Sequence, residues 1–249
     1  MKSQYQTLKE EAFEANLQIP KNHLAIYTWG NVSAFDKYLG VFAIKPSGVA
    51  YDKLSLNDMV IIDLDGQKVD GKLNPSSDTP THLQLYKQFS GINGICHTHS
   101  PYATAWAQAM KSIPLLGTTH ADHLANPIIC TKALSKEQVE NGYEENTGIL
   151  IYKTFKDPSS AQEILNVGPY PFREINPVQN PMVLVGGHGP FSWGKDALSS
   201  VYNARVLEEV AKMAMWVNSI NPAFTQLPSH ITKKHYDRKH GKNAYYGQE

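Results

Sequence analysis

Two histidines separated by a single residue, His97-Thr98-His99, follow the short apolar run Gly94-Ile95-Cys96. On an extended strand, residues i and i+2 project from the same face, so both imidazoles can share one metal ion while Cys96 and Thr98 face away. The same pair also reads as two polar residues at a strand end. A third histidine, His188, stands in Val185-Gly186-Gly187-His188-Gly189-Pro190. An apolar run delivers it, and its glycines permit close backbone approach, although by itself it reads as a turn residue. Three histidines with an open fourth position suit a catalytic metal, whereas a structural zinc is usually closed by four protein ligands. His23, His82, His230 and His240 carry no assignment.

Three segments offer the small residues, hydroxyls and backbone N–H groups that hold anions: Gly30-Asn31-Val32-Ser33, Lys45-Pro46-Ser47-Gly48 and Ser76-Ser77-Asp78. Ser76 and Ser77 precede an expected helix start, where free N–H groups and the helix dipole attract anions. Lys45 adds a fixed positive charge. Each segment read alone is also an ordinary loop. Candidate acid–base groups are Asp122 in Thr118-Thr119-His120-Ala121-Asp122-His123, Glu144 in Tyr143-Glu144-Glu145-Asn146, and the tyrosines of Tyr245-Tyr246-Gly247. Spacing alone does not bring these three to the histidines, and each also reads as a surface residue.

The elements that must position these groups follow from local patterning. Residues 5–18 place Leu8, Ala12, Ala15 and Leu17 at helical spacing. Residues 41–45 and 59–64 read as strands, and Asp65-Gly66 supplies a hairpin turn after the second. Thr79 as N-cap with Pro80 in the first turn starts a helix running to about Phe89. Gly94 to His99 reads as a strand, and Ser100-Pro101 opens a helix through Trp106 to Met110. Further strands are expected at 113–116, 148–154 and 182–186, and a long helix at 197–218, whose stripe includes Val201, Leu207, Val210, Ala211 and Ala214. The tail 229–249 is polar and rich in Lys, His and Tyr. Interleaved strands and helices with a tight hairpin point to an α/β sandwich on a mixed or antiparallel sheet.

Whole-chain properties narrow the class. The 249 residues suit one domain spanning 1–249, with 41% hydrophobic residues and no repeat or low-complexity tract. Lys+Arg and Asp+Glu both number 23, which removes the electrostatic footprint expected of a nucleic-acid or acidic-membrane binder. Two cysteines, Cys96 and Cys130, cannot form a disulfide framework and suit a reducing compartment. No run of the roughly 20 apolar residues of a membrane span occurs, so the expected location is cytoplasmic.

In this order, Thr28-Trp29-Gly30-Asn31-Val32-Ser33, Lys45-Pro46-Ser47-Gly48, Ser76-Ser77-Asp78, His97-Thr98-His99, Gly117-Thr118-Thr119-His120-Ala121-Asp122, His188-Gly189-Pro190-Phe191, Trp193-Gly194-Lys195-Asp196 and the stretch from His235-Tyr236 to Tyr245-Tyr246-Gly247-Gln248 resemble the class II aldolase/epimerase family, in particular its L-ribulose-5-phosphate 4-epimerase branch. The resemblance runs from about Leu17 to Gln248. It implies a three-layer α/β/α sandwich around a mostly antiparallel sheet, assembled as a C4 homotetramer with active sites between subunits. It implies that His97, His99 and His188 hold Zn²⁺ (or Mn²⁺ or another divalent ion), with Asp78 at the metal's open side. Asn31, Lys45, Ser47, Gly48, Ser76 and Ser77 match the phosphate pocket. Asp122 matches one acid–base residue, and Tyr246 the other, donated by the adjacent subunit. Thr118, Glu144, His235 and Arg238 match supporting positions.

The implied activity is C4 epimerisation of a phosphorylated ketopentose by breaking and remaking its C3–C4 bond, as in arabinose catabolism. Asp78 stands where aldolases of the fuculose-phosphate type carry Glu, which favours the epimerase. The alternatives are an L-xylulose-phosphate or other ketose-phosphate epimerase, a sugar-phosphate aldolase, and a non-catalytic interaction domain like the adducin head, which would be expected to lack the metal histidines. Two stretches depart from the family pattern: His123 with Leu124-Ala125-Asn126-Pro127, and the longer segment 157–181.

Overall fold

The structure, a computed structural model, describes residues 4–169, 171 and 174–247. Gln248, the last residue of the C-terminal motif, lies outside them, as do three residues of the 157–181 segment. Seven strands are found among the described residues: β1 (Asn31–Asp36), β2 (Val41–Ile44), β3 (Val60–Asp63), β4 (Lys68–Asp70), β5 (Gly94–His97), β6 (Met182–Val185) and β7 (Gly189–Gly194). They form one sheet in the order β4-β3-β2-β1-β5-β7-β6, and every neighbouring pair is antiparallel.

Side-chain alternation along the strands builds two cores. On one face Phe42, Ile44, Val60, Ile62, Ile95, Val183, Val185, Phe191 and Trp193 are buried under α2 (Thr79–Gln88) and α6 (Tyr143–Lys156). On the other face Val32, Ala34, Val41, Ala43, Ile61 and Cys96 are buried under α1 (Gln6–Lys21) and α7 (Ala197–Ile220). A third cluster, including Trp106, Met182, Leu184, Leu207 and Ala211, packs α3 (Pro101–Gln108) between α7 and the β6 edge. The result is helix, sheet, helix, as expected. Each fully buried Phe, Ile or Leu side chain stabilises the fold by about 1.5–3 kcal/mol. Shorter helices α4 (Thr118–Ala121) and α5 (Lys136–Glu140) lie in the connections, and α8 (Ser229–His240) is the last helix among the described residues.

Several local expectations change. Residues 148–154 are helical, inside α6. Its buried residues Thr147, Gly148, Ile151, Thr154 and Phe155 form a helical stripe that the dense β-branched and aromatic composition disguises. Gly148 shows why α6 sits where it does. A Cβ there would stand 2.6 Å from Gln84 Cβ and 2.9 Å from the Thr81 carbonyl, so only glycine lets α6 approach α2 this closely. Residues 113–116 contribute one isolated bridge, Ile113 to Ile128, rather than a strand. Thr79 is the first helical residue of α2 and Asp78 holds the cap position; the Thr79 hydroxyl donates to the Ser76 carbonyl at 2.6 Å. Strand β5 stops at His97, so His99 lies just past it. Asn31-Val32-Ser33 belongs to β1 rather than to a turn. The polar tail, with no apolar stripe, nonetheless forms α8, none of whose residues is buried.

Candidate metal centre and active site

His97 ends β5, and its register partner on β7 is Phe191, three residues beyond His188. The antiparallel pairing therefore brings the two histidine motifs, 91 positions apart, to one edge of the sheet. The potential ligand atoms of His97, His99 and His188 all lie within 4.8 Å of one another. His97 Nδ1 donates to the Pro190 carbonyl at 2.9 Å, which leaves Nε2 as a lone pair facing inward. His97 Nε2 and His99 Nε2 are 3.2 Å apart. Two nitrogens bound tetrahedrally to one ion at the usual zinc distance stand about 3.3 Å apart, so the donor set fits a divalent cation. Phe191 stacks on the His97 ring at 4.1 Å and 18°, fixing its plane. Burial holds all three imidazoles below their ordinary range, His188 at about 4, so each is the neutral ligand a metal needs.

A cavity of about 580 Å³ opens over these histidines. Asn31, Lys45, Ser47, Gly48, Ser76, Ser77, Asp78 and Glu144 all line it with the triad. The Asn31 amide donates to Asp78 Oδ2 at 2.6 Å and to Ser76 Oγ at 3.1 Å, tying the phosphate-type segment to the carboxylate beside the metal ligands. Burial opposes ionisation of Asp78, yet the nearby imidazoles of His97 and His82 and the Asn31 hydrogen bond outweigh it and hold the carboxyl below its ordinary range. Asn31 Oδ1 is buried without a partner, an acceptor left for a ligand hydroxyl or water. Lys45 is only 2% exposed. Its ammonium reaches the Pro46 carbonyl at 3.5 Å and stands 5.0 Å from the Tyr51 ring. Without a carboxylate partner, burial pushes it down to about 8. An anion is the group this buried cation lacks.

Asp122 and Tyr246 stand elsewhere. Asp122 caps the short helix that Thr118 opens, its N–H bonded to the Thr118 carbonyl at 2.8 Å. Helix α8 surrounds its carboxylate. Arg238 donates through Nε to Oδ1 at 3.0 Å and through Nη2 to Oδ2 at 2.7 Å, and His235 Nδ1 stands 3.0 Å from Oδ1. Burial opposes ionisation of Asp122, but Arg238 and His235 outweigh it and hold the carboxyl below its ordinary range. The Tyr246 N–H donates to the Arg238 carbonyl at 3.1 Å, and the ring lies 4.4 Å from Lys239 Nζ. Thr118, His235, Arg238, Asp122 and Tyr246 thus form one charged cassette. The cavity beside Asp122 is walled by Ile92 and Gly194, next to the Gly94↔Gly194 end of the β5–β7 pair, whereas the triad sits at the His97↔Phe191 end. One chain therefore carries its metal cavity and its cassette at opposite ends of the same strands, and neither Asp122 nor Tyr246 lines the histidine cavity.

Sequence reasoning left out three residues of the cavity. The Tyr143 hydroxyl is 3.3 Å from His188 Nδ1. Trp29 sets its ring edge against His99, with centroids 6.1 Å apart. Thr28 lines the rim. Thr28 and Trp29 begin the motif that runs to Ser33, and Tyr143 directly precedes Glu144, but nothing in their spacing aimed them at the metal. Gly30 is forced: at φ +77° a Cβ would stand 2.6 Å from the His97 carbonyl, so glycine lets the Trp29 loop press on the ligand strand.

Fold and site together define a class. Residues 10–215 match the family described as Class II Aldolase and Adducin N-terminal domain, and the chain belongs to that family. It is 49% identical over 244 residues to L-ribulose-5-phosphate 4-epimerase UlaF of Salmonella paratyphi C (strain RKS4594), covering 98% of this chain and 100% of the relative. The homologue so named from Salmonella typhi is 48% identical over the same span. Among solved structures, an L-fuculose 1-phosphate aldolase superposes with a TM-score of 0.72 at 21% identity, covering 96% of this chain and 97% of that one. YgbL of Klebsiella pneumoniae, described as a putative aldolase/epimerase/decarboxylase, gives 0.66 at 17%, covering 94% and 99%. At these identities the structural likenesses speak for the fold. No helix of the described residues is long and apolar enough to cross a membrane.

Proposed function

We propose that this chain is a divalent-metal-dependent L-ribulose-5-phosphate 4-epimerase, interconverting L-ribulose 5-phosphate and D-xylulose 5-phosphate. The observation that carries the reading is near-half identity, along the full length of relatives bearing that name, in a chain whose three histidines converge beside a buried, unpaired lysine. We read residues 1–249 as one such domain and zinc as the resident ion. A cytoplasmic location fits a phosphorylated substrate.

C4 of a 2-ketopentose is not α to the carbonyl, so removing its C–H proton gains no stabilisation from C2. Cleaving C3–C4 and re-forming it on the other face of the aldehyde fragment inverts that centre instead. His97, His99 and His188 would hold a divalent cation, which when bound would supply Lewis-acid stabilisation of the negative charge that cleavage develops on the ketone fragment. Lys45, with Ser47, Gly48, Ser76 and Ser77, anchors the C5 phosphate, so the fragment stays bound while it turns. Asn31 joins that pocket to Asp78 at the metal end. Glu144 lines the same cavity. Asp122 and Tyr246 move the C4 hydroxyl proton, one for each epimer. Arg238 and His235 keep the Asp122 carboxylate oriented and ionised, with Thr118 in support.

Neither Asp122 nor Tyr246 lines the cavity of its own triad, and we read both as acting in a neighbouring subunit's site, as a C4 tetramer allows. Large exposed apolar residues along α7, Leu198, Tyr202, Met213, Trp216 and Ile220, follow helical spacing and offer a surface for such an assembly. A coupled assay of the metal-analysed protein with L-ribulose 5-phosphate and L-xylulose 5-phosphate, following D-xylulose 5-phosphate, tests the reading. Chelator-sensitive conversion of the ribulose compound is expected. Preference for the xylulose compound would change the substrate, and net release of two fragments would make the protein an aldolase.

A further inference from the structure

Tyr51 touches no assigned site residue through its hydroxyl, yet it is nearly buried, 7% exposed. That hydroxyl donates to two successive carbonyls, Trp29 and Gly30, both at 2.9 Å. The face of its ring holds Lys45 Nζ at 5.0 Å from the centroid. These two contacts lie at opposite ends of the proposed substrate. Trp29 and Gly30 pack on the metal ligands: Trp29 meets His99 edge-on, and Gly30 lies against the His97 carbonyl so closely that no Cβ fits. Lys45 is the buried cation of the phosphate pocket, and its remaining contact is the long one to the Pro46 carbonyl.

We propose that Tyr51 is a positioning residue that sets the distance between the phosphate anchor and the metal ligands. Its hydroxyl pins the Trp29–Gly30 loop against the histidine strand, and its ring seats the Lys45 ammonium, so one rigid side chain spans both. The role rests on the sugar-phosphate reading for its effect on turnover, but not for its effect on anion binding. The one hydroxyl proton, shared between the two carbonyls as a three-centre bond, ties both successive peptide units to the same ring. The aromatic face supplies an electrostatic seat for a desolvated ammonium without neutralising it. A carboxylate in that place would hold the lysine too, but would repel the phosphate.

The two contacts separate by substitution. Tyr51→Phe removes the pin and keeps the seat; Tyr51→Leu removes both. In zinc-loaded protein, Tyr51→Phe is expected to lower kcat about tenfold or more through misplacement of the metal end. Its affinity for inorganic phosphate, titrated calorimetrically, stays within about threefold of the parent because the ring remains. Tyr51→Leu is expected to weaken phosphate about tenfold as well, and to move the alkaline limb of the kcat/KM profile to lower pH. Metal content stays at the parent value in both. Parent-like kcat in Tyr51→Phe overturns the pin, and parent-like phosphate affinity in Tyr51→Leu overturns the seat. Equal losses of kcat and phosphate affinity in both variants, tracking a lower Tm, would reduce Tyr51 to a structural residue and overturn the proposal. If the parent converts no pentose phosphate, the functional reading fails, and the phosphate titrations of the two variants still decide whether Tyr51 seats Lys45.

Discussion

The metal cavity and the Asp122 cassette are built on opposite principles. The cavity sits at strand ends inside the sandwich. His97 is clamped between Phe191 and the Pro190 carbonyl, and Asn31 links Ser76 to Asp78. The cassette is held by one polar helix with no buried residue, and Tyr246 is 61% exposed. The cavity is preorganised within the chain. The cassette keeps its carboxylate and guanidinium paired and mostly covered and leaves the Tyr246 ring open to solvent. On the proposed reading, half of the chemistry is stored in the core and half awaits a neighbour.

The sharpest break of this comparison is at the metal. His97→Ala should lose metal and activity together, by about 10³-fold or more, because Lewis-acid stabilisation disappears. Metal analysis beside the coupled assay reads both, and an active metal-free variant would remove the metal from the account. The cassette should behave differently. Asp122→Asn and Tyr246→Phe should each lower kcat about 10²–10⁴-fold with metal content unchanged. Parent rates in both would leave the cassette without a catalytic role.

Lys45 tests the phosphate end of the cavity. Lys45→Met should raise KM about a hundredfold, the loss of a charge-assisted contact to a dianion in a buried pocket, while kcat changes less. Its ammonium is pushed from 10.5 down to about 8. The binding form is the protonated one, so kcat/KM is full below that value and falls as pH rises through it. Stability moves the other way: the folded state favours the neutral amine, so folding gains stability as pH rises from about 8 toward 10.5. An alkaline fall in kcat/KM without unfolding is therefore expected, and its survival in Lys45→Met would assign the limb to another group.

The smallest effect concerns the scaffold. Gly148→Ala adds a methyl group 2.6 Å from Gln84 Cβ. Overpacking of about 1–3 kcal/mol should exceed the roughly 1 kcal/mol of helix propensity gained, lowering the denaturant midpoint. A stabilised variant would mean that α2 and α6 yield more easily than their contact indicates.

These contrasts also explain what was legible in the residues. Strands β2, β3, β5 and β6 and the histidines near them are readable because short-range spacing carries the message: His97 and His99 differ by two positions, and apolar runs deliver both histidine motifs. Strands β1 and β7, rich in small residues, and the exposed β4 carry no such run. Interleaved apolar patterns point to an α/β sandwich, and the three-layer α/β/α order is what the family resemblance implies. Helix α6 was misread because Ile149, Leu150, Ile151 and Tyr152 favour strands locally, and only packing against α2 settles the matter. Helix α8 was missed because it buries nothing, so no hydrophobic period marks it. The placement of Asp122 away from the triad is invisible in the spacing, since it depends on which end of a strand pair its loop returns to, and for Tyr246 only the resemblance implies it. Tyr51 escaped for a similar reason: its contacts at 29, 30 and 45 arise only when the sheet folds.

The claim that one chain's cassette serves another chain's metal is tested most directly with hybrid oligomers. His97→Ala and Asp122→Asn protomers, each nearly inactive, are unfolded and reassembled together with metal in a one-to-one mixture. If each site joins the triad of one subunit to the cassette of the next, random assembly of a closed ring restores about a quarter of the parent activity. If both halves of the site come from the same chain, every site in the mixture keeps one defect, and activity that stays at the level of the separate variants would contradict the account.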